Sequence, residues 1–195
     1  MSVNILGVDY RINDTTYLDL SKEGLKEIPI NVFELINLTR LDLGYNELIC
    51  IPIDINKLVN LESLHMNDNK LTSIPDMSSL VNLEVLNLNN NKLTSIPDMS
   101  SLVKLEILGV SCNKLIEIPL NVNKLINLKY LYLVHNELTS ISCELCEMKK
   151  LMYVDLRNNY IVDDESVKIF EDLTVRTKYM DDQKQQPIML PMVII

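Results

Sequence analysis

Leucine, isoleucine and valine return along this chain at a constant interval. From Leu38 the order L-x-x-L-x-L-x-x-N-x-L-x-x-I-P recurs, with small departures, at Leu61, Leu83, Leu105, Leu128 and Leu151, and a looser copy starts at Thr15. Successive starts lie 22 or 23 residues apart. A period of that size marks a repeat protein, in which one short unit is stacked on its neighbours. The stretch LTSIPDMSSLV stands at Leu71 to Val81 and again, letter for letter, at Leu93 to Val103, so duplication of a unit is its simplest origin.

Inside each unit the fourth and sixth positions are apolar: Leu18 and Leu20, Leu41 and Leu43, Leu64 and Met66, Leu86 and Leu88, Leu108 and Val110, Leu131 and Leu133, Val154 and Leu156. Period two predicts a half-buried strand. One such strand cannot cover its own apolar face, whereas stacked copies share a continuous core. The ninth position carries Asn46, Asn69, Asn91, Asn113, Asn136 and Asn159, an amide suited to satisfying backbone groups where the chain leaves the strand. Pro29, Pro52, Pro75, Pro97 and Pro119 fix φ and remove a donor, which predicts extended or 3₁₀ turns behind the strands.

A stacked array needs covered ends. Residues 1–14, where Val3 to Ile12 alternate around Gly7, are expected to form an N-terminal strand or hairpin cap over the seven repeats of 15–161. Asp163 and Asp164 are placed to cap a helix running to about Tyr179, with Val167, Phe170 and Leu173 or Thr174 on its inner side, so 162–179 reads as the C-terminal cap. Residues 180–195 are polar and then apolar, from Pro187 to Ile195. That tail either folds back on the last repeat or docks onto a partner or a second copy as an extended peptide.

Over Thr15 to Ile161 the repeated framework resembles the leucine-rich-repeat family, and within it the short intracellular class found in Ras-pathway and phosphatase-regulating scaffolds. The resemblance implies an α/β fold: a curved, right-handed solenoid with a parallel sheet on its concave face and short turns on its convex face. It also implies a role in protein recognition.

Composition narrows the function. Hydrophobic residues make up 47% and aromatic ones only 5%, without Trp, so the core is aliphatic. A formal net charge of −9 disfavours a grip on nucleic acid or anionic lipid, both of which need concentrated Lys and Arg. No run approaches the roughly 18 to 20 apolar residues of a membrane span, and MSVNILGVDYRIND lacks the features of a signal peptide. Cys50, Cys112, Cys143 and Cys146 are scattered rather than paired, which suits reduced thiols and a cytoplasmic protein.

Catalytic and metal chemistry finds no constellation here. His65 and His135 are the only histidines and sit about three repeats apart. The lone C-x-x-C at Cys143 and Cys146 lacks two further zinc ligands, and Cys143 aligns with Ile30, Ile53 and Leu120, which suggests packing. Cys112 and His135 occupy equivalent positions in neighbouring repeats without an evident third ligand. No phosphate-cradling motif occurs, so no cofactor is expected.

What remains is the outward face of the sheet. Its third positions run Tyr17, Arg40, Ser63, Val85, Ile107, Tyr130, Tyr153, and its fifth Asp19, Asp42, His65, Asn87, Gly109, Tyr132, Asp155. Tyr130, Tyr132 and Tyr153, with Ile107, Val134 and Arg157 nearby, have the composition of an interface hot spot, and Tyr17, Asp42 and His65 complete the candidate surface. Strands also favour tyrosine for packing alone. Glu62, Glu84 and Glu106 precede three successive strands while Lys70, Lys92 and Lys114 follow them, an arrangement that either orients docking or was copied by duplication. The reading is a monomeric, non-enzymatic scaffold or adaptor that grips a protein partner in the concave face. The alternative is a regulatory or targeting subunit of a GTPase or phosphatase complex, and an unrecognised enzyme is the third class.

Overall fold

The computed structural model describes residues 1–119 and 121–180; Leu120 and 181–195, including the apolar tail, lie outside the described residues. Seven three-residue strands, β3 (Tyr17–Asp19), β4 (Arg40–Asp42), β5 (Ser63–His65), β6 (Val85–Asn87), β7 (Ile107–Gly109), β8 (Tyr130–Tyr132) and β9 (Tyr153–Asp155), pair in sequence order and in parallel. Register aligns like with like: Leu18 faces Leu41, then Leu64, Leu86, Leu108, Leu131 and Val154. These side chains and the sixth-position residues two further on are buried, so the period-two pattern becomes one aliphatic core running through every coil. Parallel neighbours joined by a crossover wind right-handed.

Behind the strands, repeats with 23 residues carry short 3₁₀ turns at Ile30–Glu34, Ile53–Lys57, Val122–Lys124 and Cys143–Glu147. With three residues per turn, burial falls on Val32 and Leu35, Ile55 and Leu58, Val122 and Leu125, Leu145 and Met148. The expected packing role of Cys143 is thereby corrected: it points outward, as do Ile30 and Ile53, which are 63% and 61% exposed. The two duplicated stretches have no 3₁₀ turn. There the carboxylates of Asp76 and Asp98 accept the N–H of Ser78 and Ser100 at 2.8 Å, turning the chain with one residue fewer, and buried Met77 and Met99 fill the space.

Each ninth-position amide links two coils. Asn91 donates to the carbonyls of Met66 in the preceding coil and of Leu88 in its own, both at 3.0 Å, and accepts the Leu71 N–H at 3.0 Å. Asn46, Asn69, Asn113, Asn136 and Asn159 repeat the pattern. A second ladder stands just before the strands: Asn37, Asn60, Asn82 and Asn127 donate to the carbonyls of Asn13, Ile36, Val59 and Val103. Its signal was the Asn-Leu pair returning with the repeat.

The eighth position adopts a left-handed backbone at Lys22, Tyr45, Asp68, Asn90, Cys112, His135 and Asn158, with φ between 55° and 62°. Asn and Asp tolerate that region, whereas a residue such as Cys is strained there by about 1 kcal/mol. Cys112→Asn, which copies the equivalent Asn90, is expected to stabilise the protein by about 0.5–1 kcal/mol. Thermal denaturation followed by circular dichroism should show a rise of a few degrees, and a fall would contradict the strain.

At the N-terminal end β1 (Ser2–Ile5) and β2 (Val8–Arg11) form an antiparallel hairpin turned by Leu6 and Gly7, both at positive φ. Val3 and Ile5 pack into the core, and Asn31 donates to the Asn4 carbonyl at 2.9 Å. At the other end α1 (Asp164–Asp172) starts on Asp163, whose carboxylate accepts the Ser166 N–H at 2.7 Å. Its inner face is Ser166, Ile169, Phe170 and Leu173, so Ile169 stands where Val167 was expected. The helix was also expected to reach Tyr179. It stops at Asp172 and the chain forms an eighth sheet strand, β10 (Thr177–Tyr179), because the open edge of β9 offers unpaired backbone groups: Thr177 N–H donates to the Met152 carbonyl and Leu156 N–H to the Tyr179 carbonyl. Lys178 then turns its ammonium back onto the carbonyls of Phe170, Glu171 and Leu173, capping the helix end.

Candidate functional site

Strand order places unlike chemistry in zones along the outward face. On β3 and β4 it is charged: the Tyr17 hydroxyl lies 3.3 Å from an Asp19 carboxylate oxygen, and Arg40 lies over the Tyr17 ring at 5.5 Å. Burial raises the Tyr17 hydroxyl above its ordinary value, with Asp19 adding to the shift. Asp42 and His65 follow, the latter 2.9 Å from the Ser63 hydroxyl. Around β5 to β7 amides link neighbouring coils, Asn87 donating to Asn67 and Asn89 accepting the Ser111 N–H at 2.7 Å, beside Ser63, Val85 and Ile107. Gly109 leaves the room this needs, since a Cβ there would stand 2.9 Å from the Asn89 amide nitrogen.

The far end is aromatic. Tyr153 is its hub, with ring centroids 5.0 Å from Tyr132, 6.4 Å from Tyr130 and 5.8 Å from Tyr179. Arg157 lies over the Tyr179 ring at 4.7 Å and donates through Nε and Nη2 to Asp155 at 2.9 and 2.6 Å. The Asp155 side chain is only 2% exposed and also accepts from the Tyr153 hydroxyl at 3.1 Å. Burial pushes its carboxyl up, but the bonds from Arg157 and Tyr153 outweigh that and hold it below its ordinary value. Burial and the same carboxylate raise the Tyr153 hydroxyl, and the bond to Asp155 raises Arg157. One buried carboxylate thus holds both the Tyr153 hydroxyl at the hub of the rings and the Arg157 guanidinium over Tyr179.

Of the candidate residues, Tyr130, Tyr132, Tyr153 and Arg157 form this cluster; Ile107 faces Tyr130 in register on β7, and Val134 is half-buried two residues beyond Tyr132. Tyr17, Asp42 and His65 are not part of it: β3, β4 and β5 lie five, four and three strands from β8, about 24, 19 and 14 Å at 4.8 Å per strand. Tyr179 was missed, because only the pairing of β10 with β9 brings it to Asp155. The rims are also linked across coils, Glu106 to Lys129 at 2.7 Å and Lys70 to Glu47 at 3.0 Å. The four cysteines are free and exposed, and burial, then the Asp172 and Cys143 charges, raises Cys146. Among the described residues no three His, Cys, Asp or Glu are placed to hold a metal ion, and no helix is long and apolar enough to cross a membrane.

A one-strand-per-coil parallel sheet with an amide ladder defines a leucine-spaced solenoid. The chain belongs to the leucine-rich-repeat family: the family model for the leucine rich repeat matches residues 14–71 and 104–161, and that for two copies of the repeat matches 81–122. No curated protein sequence matches it. Among solved structures, a leucine-rich-repeat protein of Leptospira interrogans is 26% identical with a TM-score of 0.66, the match covering 90% of this chain and 57% of that one. An internalin from Listeria monocytogenes is 24% identical with a TM-score of 0.65, covering 91% and 51%, and shows the fold alone. The leucine-rich-repeat ectodomain of the plant membrane receptor kinase GASSHO1/SCHENGEN3 from Arabidopsis thaliana, solved in complex with Casparian strip integrity factor 2, is 27% identical with a TM-score of 0.67, covering 80% and 20%. The chain spans about half the length of the first two and a fifth of the third. Proteins of this family generally mediate protein–protein interaction, and the fold is typically a binding scaffold.

Proposed function

We propose that the chain is a non-enzymatic adaptor that binds a protein partner across the concave sheet face, with Tyr130, Tyr132, Tyr153, Tyr179 and Arg157 as its anchor. The observation that carries this reading is the aromatic cluster held by Asp155. Tyrosine and arginine dominate interface hot spots, and side chains already ordered in the free protein lose little entropy on binding. Ile107 and Val134 extend the anchor with apolar surface, while Tyr17, Asp42 and His65 supply a separate polar contact for a partner long enough to cross the sheet. Free, exposed cysteines support a reducing, intracellular setting and a monomer without disulfide links. No GTPase or phosphatase is named in the solved relatives above, and the partner is defined by the surface it must fit.

Affinity capture from the native cell tests the proposal. Tyr130→Ala combined with Tyr153→Ala should weaken the captured complex by about 30-fold, the loss of roughly 2 kcal/mol expected of a hot spot. Capture at full strength by the folded double variant moves the interface elsewhere.

A further inference from the structure

Four cations meet where no run of sequence puts them together. Lys129 stands just before β8, Lys149 and Lys150 in the turn before β9, and Arg176 between α1 and β10; with Thr174, Leu151 and Met152 they line one open cleft of about 370 Å³. The segments leading into the adjacent strands β8, β9 and β10 contribute, so stacking creates the cluster. The chain has 27 acidic and 18 basic residues, which makes a carboxylate the commoner neighbour for any cation. Lys129 does pair with Glu106, and Lys150 donates to the Asn127 side chain. Lys149 and Arg176 are exposed and have neither an ion pair nor a hydrogen bond among the described residues.

The residues leading into the strands give this placement a direction. They run Glu62, Glu84 and Glu106 and then change sign to Lys129, with Arg176 closing the row beyond Met152. An anionic ligand is repelled along three coils and attracted at the last. At about 30 Å³ per water the cleft holds on the order of a dozen water volumes, room for several side chains rather than one oxyanion. Its floor, Leu151 and half-buried Met152, suits the methylenes of Glu or Asp.

We infer that this cleft binds an acidic peptide segment, with Lys149 and Arg176 as its free cations and Lys129 and Lys150 in support. Met152 immediately precedes Tyr153, so a partner on the tyrosine cluster can place such a segment here; the cleft does not depend on that cluster, and its test uses no partner.

Fluorescence polarisation of labelled hexaglutamate against the full chain at 20 mM and 300 mM NaCl reads it directly. The probe should bind saturably at low salt although the protein carries net negative charge, and at least tenfold more weakly at high salt. Lys149→Glu with Arg176→Glu should weaken binding at least tenfold, and Lys149→Gln with Arg176→Gln several-fold. Lys22→Glu with Lys26→Glu, the same charge change at the opposite end, should alter it less than twofold. Circular dichroism melting of each variant confirms that it is folded. The inference is overturned if hexaglutamate does not bind, if both charge-reversed variants weaken it equally, or if inorganic phosphate binds as tightly as the peptide. Failure of the tyrosine variants to lose a partner would leave these results untouched.

Discussion

Asn91→Leu is expected to lower the melting temperature by about 6–12 °C, from a loss on the order of 3 kcal/mol. Leucine is close in size and more apolar, so transfer from water alone would favour the change. Against it stand the Met66 and Leu88 carbonyls and the Leu71 N–H, which lose partners at 3.0 Å in a place water does not reach freely, Asn91 itself being 9% exposed. The unmade bonds win because a buried unsatisfied polar group costs about 1–3 kcal/mol. The effect should spread to both adjoining coils, since the amide spans two of them. Thermal denaturation decides, and a shift below 2 °C would remove the ladder as a source of cohesion.

Asp155→Ala should cost about 2 kcal/mol and about 4–8 °C, less than a fully buried ion pair because Arg157 is 45% exposed. Its larger consequence is for the surface, where Tyr153 and Arg157 lose the group that orders them. The pH dependence follows from the direction of the shift. With its folded value depressed, Asp155 contributes its stability above the unfolded value near 3.9 and loses that contribution as pH falls through the folded value. The melting temperature of the natural chain should therefore drop below about pH 4, and Asp155→Ala should show a shallower drop. Asp19, Asp98 and Asp163, lowered by hydrogen bonds from Ser21, Ser100 and Ser166, keep the slope from vanishing. An identical slope in the variant would show that Asp155 is not linked to folding.

The repeat period, the strands and the family were legible in the sequence because each is written locally and many times. Leu-x-x-Leu-x-Leu places one buried side chain on each strand and a second just beyond it whatever its neighbours do, and six ninth-position asparagines repeat one hydrogen-bonding task. The start of α1 was equally readable, since Asp163 immediately before it accepts the Ser166 N–H three residues on. Its end was not. Thr177–Tyr179 became a strand because β9 had an open edge, and no local preference carries that information. The same pairing brought Tyr179 to the cluster and set Arg157 on its ring. Cys143 was misjudged because alignment between repeats does not say which side of a 3₁₀ turn faces the core. The burial of Asp155, the separation of Tyr17, Asp42 and His65 from the tyrosines, and the meeting of Lys129 with Arg176 all arise from coils joined 22 or more residues apart. The sequence alone determined what each coil is made of; stacking decided which side chains of different coils meet, because those contacts are set by strand register rather than by distance along the chain.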